Sequence, residues 1–261
     1  KVRIHRELPQ EYTIKQATVS KTPTGKFFVS VVVETNEKPE TKIIDPQKAI
    51  GIDVGLKDFV VLSNGTKIEH PKVLSKYERK LSRYQKRLSK KTKGSNNRNK
   101  ARNKVALVYE KISDVRMDFI HKLTHKLVSD SQADLFCVED LNISGMVKNH
   151  SLAKSISDSG WDKFKEILKY KAERLGKEVV EIDRFYPSSK TCHVCGYKNE
   201  DLTLDDREWE CPVCHTVHDR DINAAVNIKA QGILKYSTAG TAGIQACGDL
   251  VRPVSMKGKD Q

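Results

Sequence analysis

Two sets of residues in this sequence have the types and spacing of metal sites. The first is made of cysteines. Cys192 and Cys195 are separated by two residues, as are Cys211 and Cys214, and fifteen residues lie between the pairs. Each pair presents two sulfurs from one tight turn, and two such turns complete a tetrahedral zinc site of the closed, structural kind. Two redox pairs are the competing reading, but matched spacing on a short insert favours one metal. Four thiolates fill the tetrahedron, so His193, His215 and His218 are expected to be bystanders. Cys137 lies in an apolar run and reads as an inert core thiol. Cys247 is given no role.

The second set is acidic. In "AIGIDVG", residues 49–55, Asp53 interrupts an otherwise apolar or small run. A buried carboxylate costs several kcal/mol (about 2–7 for an uncompensated polar group) unless something offsets it. "ADLFCVEDL", residues 133–141, is a second buried strand with Glu139 at its end, and Asp221 opens the helical pattern "DINAAVNIKAQGI". Ligands of open α/β sheets bind beyond the carboxyl ends of the strands. If the strands ending in Asp53 and Glu139 are neighbours, the two acids converge, and Asp221 is placed to join them. Three such carboxylates repel unless a divalent cation neutralises them, and Mg²⁺ takes hard oxygen ligands. Two ions about 3.5–4 Å apart serve phosphodiester cleavage. Singly, each acid has a plainer reading: Asp53 in a turn before Gly55, Glu139 or Asp140 as an exposed strand end, Asp219 or Asp221 as a helix cap.

Charge points to the partner. The net charge is +13, and residues 72–104 hold fourteen Lys or Arg against one acid, Glu78, so the rest of the chain balances. One intensely basic segment on a neutral body marks a polyanion-binding surface. The alternative is a solvated helix face. The candidate nucleic-acid contacts are Lys76, Arg79, Lys80, Arg83, Lys86, Arg87 and Lys90. No apolar run reaches the length of a membrane span and no secretory leader is visible, so a cytoplasmic, nucleoid-associated protein with no membrane partner is expected.

The elements that must position these groups follow from periodicity. "YTIKQATVSKT" and "KFFVSVVVE" alternate as strands around Pro23-Thr24-Gly25. A lone hairpin is marginal, so it is expected to pack on something else. "AIGIDVG", "DFVVLS" and "TKIEH" read as three strands, with Asn64-Gly65 turning the second into the third. Leu74, Tyr77, Leu81, Tyr84 and Leu88 form one helical stripe. Val105, Val108, Ile112, Val115, Phe119, Leu123 and Leu127 form another. "TKGSNN" between them makes an antiparallel helical hairpin. Residues 161–175 are an amphipathic helix stopped by Gly176, and "EVVEIDR" is a further strand. The strands near 49–54, 135–139 and 178–183 are expected to be parallel, joined by helical crossovers. The fold class is α/β, a mixed sheet covered by helices.

Five stretches together carry a resemblance: "GIDVGLKDFVVLSNG", "FCVEDLNISGM", "FYPSSKTCHVCG", "CPVCHTVHDRDINAAVNI" and "GTAGIQACGD". In this order they resemble the TnpB family, the accessory proteins of bacterial insertion sequences, which are RNA-guided nucleases related to type V CRISPR effectors. The resemblance implies an RNase H-like (RuvC) domain with a zinc-ribbon insert. It implies Mg²⁺, two ions, on Asp53, Glu139 and Asp221, and one structural Zn²⁺ on Cys192, Cys195, Cys211 and Cys214. It implies DNA as substrate and a guide RNA as partner. The corresponding organisation is the last strands of a wedge-type β-barrel at 1–46, with most of the N-terminal part absent. A first nuclease part follows at 47–187 with a basic hairpin at 72–128, then the zinc ribbon at 188–218, a last helix at 219–236 and a flexible tail at 237–261. Two other functions compete: a non-cleaving nucleic-acid-binding repressor or remnant, and a transposase acting directly on DNA. All three acids are present, against the first. No separate tyrosine nucleophile motif is visible, against the second.

Overall fold

The computed structural model describes residues 11–34, 43–203 and 205–247. Its body is a five-stranded sheet built from β3 (Ala49–Val54), β4 (Asp58–Leu62), β5 (Lys67–Glu69), β6 (Leu135–Glu139) and β7 (Glu178–Ile182), and it follows β1 (Thr13–Lys21) and β2 (Phe27–Glu34). The strand order is β5-β4-β3-β6-β7. β3, β4 and β5 form an antiparallel meander, and β6 and β7 add in parallel beside β3. Parallel neighbours need long crossovers. The first is α1 (Val73–Ser89) and α2 (Asn96–His125); the second is α3 (Ile143–Met146), α4 (Ala153–Ser159) and α5 (Trp161–Arg174). The mixed sheet expected from the sequence is present. The turn into β5 uses Gly65 at φ 85°, with Thr66 N–H donating to the Asn64 side chain at 3.1 Å.

The two-residue period of the strands divides the core. Ile50, Ile52 and Val54 of β3, with Phe136 and Val138 of β6, face the apolar sides of α2 and α5. Phe59 of β4 sits at the centre, edge-on to Phe119 at 5.0 Å and to Phe164 at 5.5 Å. Ala49, Leu135, Cys137 and Ile182 face the opposite way, onto Ile228 of the last helix, α6 (Arg220–Cys247). Between β7 and α6 lies the cysteine module with its small hairpin, β8 (Glu208–Glu210) and β9 (Val217–Asp219).

α6 lies very close to the sheet. A Cβ at Gly51 would stand 1.9 Å from the Ala225 carbonyl oxygen and 2.7 Å from Lys229 N, and one at Gly232 would stand 2.2 Å from Cys137 Sγ. Only bare backbone at these two positions lets the helix and sheet meet. The helix also runs further than expected. It continues to Cys247 instead of ending at 236, so residues 237–247 are not tail. Gly240 and Gly243 in this stretch cost about 1 kcal/mol each relative to Ala, and the helix runs through both. The rest of the expected tail, 248–261, lies outside the described residues, as do residues 1–10 and 35–42 of the expected barrel strands.

The basic hairpin forms as the periodicity predicts. Val73 and Leu81 of α1 are buried against Val105, Val108 and Ile112 of α2, with Leu74, Tyr77, Tyr84 and Leu88 packed around them. At its tip Arg98 donates to the carbonyls of Leu88 at 3.2 Å and Lys91 at 3.0 Å, satisfying the end of α1. α2 closes in a π-turn, Lys126–Asp130, absent from the sequence reading. Lys177 Nζ donates to the carbonyls of Val128 and Ser131 there, at 2.7 and 3.1 Å. The β1–β2 ribbon differs from expectation. Its side chains are exposed on both faces except for half-buried Val33, and its turn touches α2 through Thr24 Oγ1 donating to Glu110 at 2.8 Å and Lys26 paired with Glu110 at 3.0 Å.

The seat of α6 yields a direct test. Gly51→Ala places a methyl inside backbone that cannot retreat, so unfolding in urea is expected to show a loss of about 1–3 kcal/mol or more. A full-stability Gly51→Ala variant rules out the close contact of α6 with β3.

Candidate metal and nucleic-acid sites

Asp53 and Glu139 lie at the carboxyl ends of neighbouring parallel strands, on the face covered by α6. The register pairs Ile52 with Val138, which puts the two acids side by side one position later. Asp221 is in the first turn of α6. The three elements thus bring the three predicted acids together. Asp53 responds to this crowding. Burial first, and then the charges of Glu139 and Asp221, hold its carboxyl well above the usual carboxylate range, while Arg220 and the Val54 backbone N–H pull it down. Burial raises Glu139 as well, opposed by a hydrogen bond from Ser188 Oγ to Oε1.

The acids are adjacent without being closed on a point. Among the described residues, only the four cysteines form a group whose ligand atoms all lie within 4.8 Å of one another. Glu139 is held by Ser188, and Asp221 leans toward Arg207 at 3.6 Å. The donor set is all oxygen, and its cost is electrostatic. Both features fit a hard divalent cation such as Mg²⁺ held by Asp53, Glu139 and Asp221.

Asp219, two residues before Asp221, does something else. Its Oδ1 accepts from Asp221 N–H at 3.1 Å and Ile222 N–H at 3.0 Å, which caps α6, and its Oδ2 pairs with Lys67 at 2.6 Å. The helix rotates successive side chains by about 100°, so the cap and the carboxylate of Asp221 face different ways. Asp140, next to Glu139, is bound by Arg184 and stays ionised below the usual range, chiefly because of that guanidinium.

The four cysteines converge as their spacing predicts. Cys192 Sγ and Cys214 Sγ are 3.6 Å apart, and Cys195 Sγ and Cys211 Sγ are 3.5 Å apart. A disulfide needs about 2.05 Å. A tetrahedron with Zn–S bonds of about 2.3 Å has edges of about 3.8 Å, so the sulfurs fit zinc. Four thiols this close cannot all ionise unaided. Although the Tyr197 backbone N–H lowers it, the Cys195 thiol is pushed up to about 12 by desolvation and the other three sulfurs. Cys214, hydrogen-bonded by Thr216, falls to about 6. A bound metal removes this conflict by holding all four as thiolates.

His218 lies outside the group of four sulfurs but packs against it. It is 2% exposed, its Nε2 lies 3.0 Å from Cys192 Sγ, and its ring packs on Trp209 at 4.8 Å. His193 is also engaged, through Asn223. Neither role was legible from ligand counting.

All seven basic candidates, Lys76, Arg79, Lys80, Arg83, Lys86, Arg87 and Lys90, are exposed on α1 or at its end. The sequence reading missed their partners on the second helix. A groove of about 490 Å³ at the hairpin tip is lined by Tyr84, Arg87 and Lys90 together with Lys91, Lys100 and Lys104. Helical periodicity on α2 held the signal, but only the pairing of the two helices puts Arg87 and Lys90 on one groove with Lys100 and Lys104.

A family described as "Probable transposase" (OrfB_IS605) matches residues 30–150, and a Cas12f1-like TNB domain matches residues 161–228. A Streptomyces pristinaespiralis protein named "Putative RNA-guided DNA endonuclease" is 42% identical over 97% of this chain and 59% of its own length. The Escherichia coli K12 protein "Putative RNA-guided DNA endonuclease InsQ" is 30% identical over 92% of this chain and 60% of its own. The chain therefore spans about three fifths of the length of these two curated relatives. More distant relatives from a mimivirus and from Methanocaldococcus jannaschii are named TnpB-like. A solved complex of Cas12f1 with sgRNA and target DNA shares the fold, with a TM-score of 0.60 and 19% identity over 84% of this chain and 46% of that one.

Two outcomes test the sites. Asp53 has a raised pKa in the folded state, so its contribution to stability is complete below the unfolded carboxylate value and lost as pH rises through the folded one. In chelator, Asp53→Asn is therefore expected to melt higher than the parent at pH 8. The gain should be about 2–4 °C for each kcal/mol of relieved repulsion and shrink toward pH 4. Cys211→Ser is expected to lose the zinc, about one ion per chain by elemental analysis, and to lower the melting temperature with it.

Proposed function

The chain belongs to the TnpB-like family, and on that premise we propose that it is the nuclease portion of an RNA-guided DNA endonuclease. The observation that supports this reading is the electrostatic coupling of Asp53 to Glu139 and Asp221 across β3, β6 and α6. On this reading the sheet is RNase H-like (RuvC), residues 47–187 and the last helix form the nuclease domain, and 188–218 is its zinc ribbon.

Asp53, Glu139 and Asp221 hold the divalent cations. Two Mg²⁺ ions, when bound, supply an activated water and a stabilised leaving oxygen for phosphodiester hydrolysis. The protein's own part is positioning. Asp53 is held in a desolvated seat under α6, where electrostatic interactions are stronger than in water. Asp219 caps the helix that carries Asp221. Zn²⁺ on the four cysteines has a structural part, ordering an insert too small to bury its own core.

DNA and guide RNA are the partners. The exposed cations of α1 and those of the tip groove neutralise phosphates without reading bases. Sequence is read by base pairing between guide and target, while such a channel recognises backbone. No helix among the described residues is long and apolar enough to cross a membrane.

The two halves of the reading separate experimentally in assays with guide RNA, Mg²⁺ and matched target. Asp53→Ala, Glu139→Ala and Asp221→Ala are each expected to abolish cutting and leave nucleic-acid affinity within about twofold. Changing Arg79, Lys80, Arg83 and Arg87 together to Gln is expected to weaken binding to all sequences alike. It should also flatten the slope of log affinity against log salt by as much as about 3–4 units. Normal cutting by all three Ala variants refutes the carboxylate site. An unchanged salt slope refutes the hairpin as a phosphate surface.

A further inference from the structure

We infer that the loop joining β7 to the first cysteine pair positions the carboxylate site, with Ser188 as a positioning residue for Glu139. The inference rests on the reading of Glu139 as a ligand of a divalent cation. Ser188 is 7% exposed, and its hydroxyl donates to Glu139 Oε1. The serine is itself fixed. Its backbone N–H donates to the Tyr186 carbonyl at 2.8 Å, and its carbonyl accepts from Asn227 Nδ2 at 2.8 Å.

Asn227 belongs to a pair. Asn223 and Asn227 are one turn apart on α6, 1% and 5% exposed. Both amides donate to the Thr191 carbonyl, at 2.7 and 2.6 Å. Asn223 Oδ1 accepts from the His193 backbone N–H at 3.0 Å and lies 2.9 Å from His193 Nδ1. Buried amides on a helix face add little net stability over apolar side chains of the same shape. What they specify is register: α6 grips residues 188–193 at three points. One continuous set of hydrogen bonds thus joins Glu139 on β6, the helix that carries Asp221, and the residues beside the sulfur ligand Cys192. Such outer partners of ligating carboxylates typically change metal affinity 10–100-fold when removed.

The test reads metal binding in the full chain without nucleic acid. Mn²⁺ stands in for the physiological ion, and free Mn²⁺ is measured by its electron paramagnetic resonance signal. Ser188→Ala is expected to bind Mn²⁺ about 10–100-fold more weakly. Its zinc content should be unchanged and its melting temperature in chelator within about 2–4 °C of the parent, the effect of one lost hydrogen bond. Parental Mn²⁺ affinity in Ser188→Ala overturns the inference. So does a loss of affinity accompanied by loss of zinc or a collapse in melting, because the serine is then a structural residue. Glu139→Gln separates the two levels of the argument. If it too binds Mn²⁺ like the parent, the carboxylate site itself is wrong. If it weakens binding while Ser188→Ala does not, only the role of Ser188 falls.

Discussion

The close seat of α6 on β3 and β6 is the contact from which the rest of the site follows. Gly51 and Gly232 remove the Cβ atoms that would hold helix and sheet apart. Along the same face, the two-residue period leads from Gly51 to Asp53 and from Cys137 to Glu139. The seat therefore brings the start of the helix, and with it Asp221, to the end of the strands where the other acids emerge. Bringing three carboxylates into one partly desolvated place opposes folding, and Asp53 registers the opposition as a raised affinity for its proton. The packing of Ile228 on Ala49, Leu135 and Cys137, with buried Ala225 seated at Gly51, holds the arrangement against that repulsion.

The cysteine module meets this seat from the side. β9 runs straight into α6, so the module's last strand and the helix bearing Asp221 are one covalent unit. The first cysteine pair is tied to the same helix by Asn223 and Asn227. An insert with only a few buried side chains, Leu202 and Trp209 among them, has little core of its own. Its order must come from the sulfur site and from these hydrogen bonds. The four sulfurs and the carboxylates are thereby joined through hydrogen bonds although they share no residue.

Charge is used in two ways. Arg98, Arg116 and Lys177 are spent inside the structure, on helix-end carbonyls, on Asp158 and on the π-turn. The cations of α1 and of the hairpin tip stay exposed. Their hairpin is held by its own apolar seam, separate from the cluster beneath the sheet. This basic surface is thus built without asking the sheet to carry it.

What the sequence determined by itself was whatever depends on short separations. Cysteine spacing is local geometry, so the sulfur site was legible. Helical stripes and strand alternation are local periodicities, so both hairpin helices, the parallel strands and the positions of Asp53, Glu139 and Asp221 at element ends were legible too. The tertiary structure decided what depends on partners distant along the chain. Ser188 is an ordinary loop serine until Glu139 lies against it. Asn223 and Asn227 look like polar helix positions until the loop at 188–193 folds over them, and His218 looks spare until it reaches Cys192. Asp219 is one more acid near the start of α6 until the first turn of that helix takes it as its cap. In each case the side chain's role is its hydrogen-bond partner. A partner some tens of residues away is fixed by packing, which no local pattern records.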